Sequence, residues 1–339
     1  MLAIKFHGMR QHQLKEIEIP SVMADSILLK VFHAPICGTD LAITEGKVSA
    51  KYGVTLGHEY YGLVNSVGKE VQAFRVNDRV IGSPSVPCLG CYYCRRGKTQ
   101  LCIRSRMFGL EIDGSFAEYM VVPSPEKVLI KTDIESKAAS LVGDTFATGY
   151  HSIEQVGLSE NESIAILGAG PVGCATLMAA LRRRPSNVYV IARSKYRLSV
   201  AEKLGGTILT ANGAEEGVQR RVYEDTLVGV DAVVDCAGSQ TTLNLAMKLA
   251  KKGGRIAITS VMPEGRLSML DLMVNEKRII GCFCPSGPRY LMKVEEFVRK
   301  NTLESELRSL ISHEFTLSDG MAAMKVHGSS ERMKILLNT

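Results

Sequence analysis

The sequence predicts an α/β chain in two parts, a barrel-like β domain followed by an open parallel sheet carrying helices. Three observations carry this. The chain has 339 residues, more than one hydrophobic core usually holds. Up to about residue 135 it runs in short Val-, Ile-, Gly- and Pro-rich stretches broken by turn signals. From about residue 140 apolar strand-like runs alternate with helix-like ones.

The first part holds strand candidates at 26–32 (SILLKVF), 62–67 (GLVNSV) and 78–81 (DRVI), as an antiparallel β domain would. In the second part, 163–167 (SIAIL) precedes a glycine loop and a helix-like stretch at 174–181. The run 187–191 (NVYVI) precedes a helix at 197–204, and 232–235 (AVVD) precedes one at 241–250, with 255–259 (RIAIT) following. This β-α-β alternation reads as a doubly wound parallel sheet. The tail offers an amphipathic helix at 291–300 and a last apolar run at 333–337 (MKILL).

Apolar residues make up 45% and charged residues 22%, the composition of an ordinary soluble globular protein. The formal charge of +6 is modest and mostly interleaved with acids, so no nucleic-acid partner is expected. The one compact basic cluster, Arg182, Arg183 and Arg184, reads as a helix C-terminus, where cations complement the dipole. Residues 1–7 carry no signal-peptide pattern, and no apolar run reaches the roughly 18 residues that span a bilayer. Nine cysteines, four of them close together, point to metal binding in a reducing compartment. The expectation is a cytoplasmic protein with no membrane association.

Cys88, Cys91, Cys94 and Cys102 have the spacing C-x2-C-x2-C-x7-C. Four thiolates wrap a tetrahedral Zn²⁺ and leave no open position, so such a site is structural. Arg95, Arg96 and Lys98 would offset its negative charge. Free cysteines or an iron–sulfur cluster are the alternatives, but the bacterial cluster run has x2-x2-x3 spacing. Far from this loop stand Cys37 in Cys-Gly-Thr-Asp, His58-Glu59 after Gly57, and Asp144 after Gly143. Cys, His and a carboxylate suit a catalytic zinc with room for water or substrate. Taken singly, each has a plainer reading: a core thiol, a packed imidazole, a helix cap.

The glycine loop reads Gly168-Ala-Gly170-Pro171-Val172-Gly173, directly after one strand and before a helix. That context raises it above an ordinary glycine turn and points to a dinucleotide pyrophosphate at the helix N-terminus.

These motifs occur in one order. Cys37-Gly-Thr-Asp, Gly57-His-Glu, Asp78-Arg-Val, the four-cysteine loop, Gly114-Ser-Phe-Ala-Glu-Tyr and the glycine loop together resemble the medium-chain zinc-dependent alcohol dehydrogenase family over essentially the whole chain. The resemblance implies a GroES-like catalytic barrel at 1–143, completed by 290–339, and a Rossmann domain at 144–289. It implies that Cys37, His58 and Asp144 ligate the catalytic zinc. Glu59 would be a fourth ligand or a neighbour that exchanges with water or substrate. An acid at 144 resembles the bacterial secondary-alcohol branch more than the liver-type enzymes. Thr39 would accept the alcohol proton. The relay His of many relatives is Ala42 here, and Asp40 reads as a supporting carboxylate.

At the adenosine ribose the sequence reads Ala192-Arg193-Ser194-Lys195, where NAD-binding members usually carry Asp at the first of these positions. Two cations and no acid suit the 2′-phosphate of NADP, the plainer reading being a solvated strand end. The expected activity is hydride transfer between NADP and a secondary alcohol, sugar, polyol or amino polyol, with two Zn²⁺ per chain. A zinc-free quinone or enoyl reductase would have no use for the cysteines, and a non-catalytic NADP-binding protein no use for an intact metal shell. The resemblance further implies a dimer or tetramer, with 279–283 as the strand pairing across a dimer.

Overall fold

In the computed structural model, which describes every residue except Asn212, Ala214, Pro263, Gly328 and Ser330, the chain divides between two units. The first is Met1–Ala147 with Cys284–Thr339, and the second is Thr148–Phe283. The divisions fall at 147/148 and 283/284 rather than 143/144 and 289/290. The reason is packing. The helical turn Val142–Phe146 lies on the strand Arg79–Gly82 and the helix Pro288–Lys300. A Cβ on Gly143 would come 2.1 Å from the Gly82 carbonyl oxygen, so the two backbones touch. Gly287 N–H also donates to Ser83 Oγ at 3.0 Å, fixing residues just past 283 to the first unit.

In the first unit, strands β1 (Leu2–Phe6) and β2 (His12–Glu16) form an antiparallel hairpin. The main sheet takes β3 (Ser26–Ile36), β4 (Tyr61–Val67) and β5 (Arg79–Gly82). A two-residue pair, β6 (Ser85–Val86) and β7 (Arg106–Met107), brackets the four-cysteine loop. β8 (Tyr119–Pro123) and β9 (Leu129–Lys131) follow. β16 (Ile311–Thr316) and β17 (Lys334–Asn338) return from the far end of the chain. The order is β16-β17-β3-β4-β5-β9, with β8 also on β3. Every pairing is antiparallel except β16 with β17.

β3 extends past the expected 26–32 because His33–Ile36 pairs with β17, while Ser26–Lys30 pairs with β8. Pro35 masked that extension, since proline argues against a strand interior. Two register irregularities interrupt the pairing of β3 with β4, at Leu28/Leu29 and Val31/His33. Ile27, Leu29, Tyr60, Phe108, Phe116 and Leu337 are buried in the core beneath.

The second unit holds β10 (Ser163–Leu167), β11 (Asn187–Ala192), β12 (Thr207–Thr210), β13 (Val230–Asp235), β14 (Ala250–Ile258) and β15 (Arg278–Gly281). They run parallel in the order β12-β11-β10-β13-β14-β15. All five residues of β10 are buried, so it reads as a continuous apolar run, as a parallel strand covered on both faces must. Strand order reverses between β10 and β13, and ligands of such sheets sit beyond the C-terminal ends of the strands at that point. The helix Pro171–Leu181 begins three residues before the expected 174, with Pro171 in its first turn. Arg182 caps its C-terminus and Arg184 pairs with Glu160 at 2.9 Å. Among the described residues, no helix is long and apolar enough to cross a membrane.

Candidate functional site

The first unit gathers Cys37, His58, Glu59 and Asp144, whose ligand-type atoms all lie within 4.8 Å of one another. Four different elements deliver and support them. Cys37 follows β3 and caps the N-terminus of the short helix Gly38–Thr44. His58 and Glu59 precede β4, after Gly57, whose φ is +93°. Asp144 comes from the turn Val142–Phe146. Lys334 opens β17, and its ammonium pairs with Glu59 Oε1.

Asp40 serves two of these groups at once. Its Oδ2 accepts from Cys37 N–H at 2.8 Å, and its Oδ1 lies 3.3 Å from His58 Nδ1. One buried carboxylate thus caps the helix and sets the imidazole so that Nε2 faces Asp144 Oδ2 at 3.4 Å. Supporting a ligating His through its other nitrogen is a recurrent feature of metal sites. Cys37 Sγ lies 3.9 Å from Asp144 Oδ2 and 3.8 Å from Thr39 Oγ1. Ala42 is buried, so this helix offers no imidazole there.

The electrostatics suit a cation. Burial pulls the His58 pKa down, but Asp40, with Asp144, outweighs it and holds the group well above the ordinary imidazole value. Burial likewise raises Asp144, and His58 overrides it to hold the carboxyl below its usual range. Burial raises Glu59 against the pull of Lys334, while Glu59 keeps Lys334 charged despite burial. Both ring nitrogens of His58 face carboxylate oxygens at 3.3 and 3.4 Å without a well-formed hydrogen bond, although the residue is 1% exposed. Such an orphaned nitrogen is costly unless something coordinates it. One thiolate, one imidazole and a carboxylate form a donor set that suits zinc.

The four-cysteine loop brings its sulfurs within the same 4.8 Å limit. Backbone donors, Gly90 first, pull the Cys88 thiol down to about 6, and Cys94 N–H lowers Cys91. Burial, then the neighbouring sulfurs, pushes Cys94 up to about 12. A divalent metal would resolve that conflict, because it deprotonates thiols outright. The cation that reaches the sulfurs is Arg104, 3.6 Å from Cys88 Sγ, and not Arg95, Arg96 or Lys98. Arg96 instead lies over the Tyr92 ring at 3.7 Å. The expected charge compensation therefore comes from the other side of the loop.

In the second unit the glycine loop connects β10 to the helix Pro171–Leu181. Gly168 has φ +102°, and a Cβ on Gly173 would lie 1.8 Å from the Gly168 carbonyl oxygen, so the turn closes only with glycine. Gly170 is the N-cap and meets nothing within 4 Å, which leaves the helix N-terminus open beside Pro171 and Val172. Those free donors and that space fit a pyrophosphate. Gly168 N–H donates to Ile191 O at 2.8 Å, placing the loop beside the end of β11. There Ala192 ends the strand, and Arg193 and Lys195 are exposed. Ser194 Oγ accepts from Arg197 N–H at 3.3 Å and caps the next helix, Lys195–Lys203. No carboxylate stands at positions 192 to 195.

Sequence reasoning missed Lys334, Thr145 and Arg104. Lys334 lies 275 residues from Glu59, and no local pattern links them. Thr145, whose Oγ1 donates to Glu59 Oε2 at 2.9 Å, follows Asp144 directly, and that adjacency was the available signal.

Residues 23–133 match the family described as alcohol dehydrogenase GroES-like domain, and residues 171–300 the one described as zinc-binding dehydrogenase. The L-threonine 3-dehydrogenase of Symbiobacterium thermophilum is 30% identical over 334 residues, covering 96% of this chain and 93% of its own. Among solved structures, an alcohol dehydrogenase of Thermus sp. ATN1 superimposes with a TM-score of 0.90 at 28% identity, over 100% of this chain and 99% of that one. A protein of Sinorhizobium meliloti 1021, described as a zinc-binding dehydrogenase and bound to NADP, gives 0.90 at 26% identity over the same shares.

Proposed function

The chain belongs to the medium-chain zinc-dependent alcohol dehydrogenase family, and on that premise we propose that it transfers hydride between a small alcohol and NADP, giving the ketone or aldehyde. The observation that carries this reading is the largely buried Cys37–His58–Glu59–Asp144 cluster, whose ligand-type atoms converge within 4.8 Å. Cys37, His58 and Asp144 would hold a catalytic zinc, and Cys88, Cys91, Cys94 and Cys102 a structural one. The catalytic zinc supplies Lewis acidity toward an alcohol or carbonyl oxygen. Asp40 keeps His58 oriented. Thr39, beside Cys37, takes the hydroxyl proton, and Ala42 means that the proton leaves without a relay imidazole three residues on. Substrates of the reading are secondary alcohols, polyols and amino polyols. The test is a screen of these by NADP reduction together with elemental analysis, expecting two zinc ions per chain. An absence of turnover across the panel, or one zinc or none after readdition, overturns it.

The four-cysteine site gives a stability prediction. Cys91→Ser is expected to release one zinc per chain and to lower Tm by at least about 5 °C, because metal binding contributes folding energy. An unchanged melt with full zinc content contradicts this.

Cofactor choice follows from the end of β11. An Asp at position 192 would bond the ribose 2′-OH and repel a 2′-phosphate. Ala192 does neither, and Arg193 offers a planar fork to phosphate. Charge-assisted bonds of about 1.5–3 kcal/mol translate to a preference of roughly one to two orders of magnitude for NADP. The kcat/KM ratio should favour NADP in the wild type and move toward NAD in Ala192→Asp with Arg193→Leu. A wild type that favours NAD defeats the assignment.

A homo-oligomer belongs to the same reading. β15 is an edge strand, and Met269, Leu270, Met273, Val274 and Phe283 near it are all more than half exposed. An open edge beside exposed apolar side chains suits pairing with a second copy.

A further inference from the structure

The turn Val142–Phe146 is π-helical, with Phe146 N–H donating to Leu141 O at 2.9 Å. Such single wide turns recur at functional sites. Here the turn aims two consecutive side chains at one cluster. Asp144 faces Cys37 and His58, while Thr145, buried at 1% exposure, donates from Oγ1 to Glu59 Oε2 at 2.9 Å. Lys334 occupies the other oxygen of the same carboxylate. Ser115 Oγ, donating to the Glu59 backbone carbonyl at 2.8 Å, anchors the main chain behind it. Glu59 is therefore engaged at both oxygens by groups that would not themselves bind a metal, although one of its oxygens lies within 4.8 Å of the other ligand atoms.

We propose that Thr145 is a positioning residue that withholds Glu59 from the metal, so that an open coordination position stays available to the substrate. This rests on the zinc reading above. The hydroxyl of Thr145 competes with the metal for Glu59 Oε2. While it donates, Glu59 stays on Lys334 and Thr145. When it is removed, Glu59 would be free to turn onto the metal as a fourth ligand that the substrate must displace.

The test uses the full chain as Thr145→Val, which keeps the shape and removes the donor, and Thr145→Ser, which keeps the donor. With zinc bound, release of the catalytic ion to a chelator should slow roughly tenfold in Thr145→Val, the size expected for one hydrogen bond to a carboxylate. KM for the alcohol should rise by a similar factor with kcat little changed. With cobalt in the catalytic position, the visible bands of Thr145→Val should differ from wild type and respond weakly to added alcohol. Thr145→Ser should match wild type in all three. Unchanged release and bands in Thr145→Val overturn the proposal. So does a Thr145→Ser variant altered as much as the valine one, because packing would then be the cause. If Thr145→Val does not fold, the serine variant must still reproduce wild-type release and bands, or the proposal fails. A wild type that takes up no cobalt at Cys37, His58 and Asp144 overturns the zinc reading itself, which separates that failure from a failure of Thr145 alone.

Discussion

Replacing His58 by alanine is expected to cut turnover at least a thousandfold while leaving NADP affinity within about a factor of two. The size follows from what is removed. A Lewis acid at a reacting oxygen contributes several kcal/mol to the transition state, and about 4 kcal/mol corresponds to three orders of magnitude. Among the described residues the other ligand-type groups of the cluster are Cys37, Glu59 and Asp144, which supply no second imidazole, and Glu59 is held by Lys334 and Thr145. The selectivity of the effect follows from the chain division. His58 lies in the first unit, whereas Gly168–Gly173 and Ala192–Lys195 lie in the second. Titrating NADP by fluorescence and measuring initial rates on the same preparation checks both halves. Turnover above a small fraction of wild type would mean that the cluster does not perform the chemistry.

The largest stability loss is expected from Lys334→Met. Lys334 is 2% exposed and Glu59 1% exposed, so the pair is fully desolvated. Removing one partner of a buried ion pair costs about 3–5 kcal/mol, because the remaining charge stays buried without compensation. A fall in Tm of roughly 6–20 °C follows. The loss should also depend on pH. Burial already raises the Glu59 pKa, and removing Lys334 takes away the charge that opposes this rise. An acid whose folded pKa exceeds its unfolded value binds more protons folded than unfolded, so stability falls as pH rises through the folded value. The deficit should therefore grow as pH rises above the ordinary carboxylate range. Adding Glu59→Gln should recover much of it, since the pair would then be removed whole. A Lys334→Met protein that melts at the wild-type temperature at every pH would show that the ion pair contributes nothing to the fold.

The elements that were legible from sequence share one property, which is local causation. β10, its glycine loop and the following helix could be read because a buried parallel strand is continuously apolar, and because the Gly168 and Gly173 requirement lies within six residues. The four-cysteine loop declared itself by spacing. The other cluster did not. Cys37, His58 and Asp144 each have a plain reading alone, and only their order among other motifs tied them together before the fold did. Lys334 was invisible because a lysine at the start of a short apolar run looks like a solvated strand end. Its burial depends on β17 lying against β3, a contact across most of the chain. Pro35 concealed the part of β3 that makes this contact. Arg104 was passed over for Arg95, Arg96 and Lys98 because sequence proximity to the thiols is a poor guide to which guanidinium turns toward them.

The split of the first unit around the second has a consequence for biosynthesis. The second unit is one continuous stretch, so it can fold as soon as it has been made, while the first must wait for β16 and β17. Lys334 is made 275 residues after Glu59. At about 5–20 residues per second that is roughly 14–55 s during which Glu59 has no counter-ion. A growing chain cannot close its barrel over an ionised, unpaired carboxylate without a penalty of several kcal/mol. The cluster of Cys37, His58, Glu59 and Asp144 is therefore the last part of the molecule to mature. Ribosomes stalled before residue 334 would carry a finished nucleotide-binding half beside an open, protease-sensitive first half.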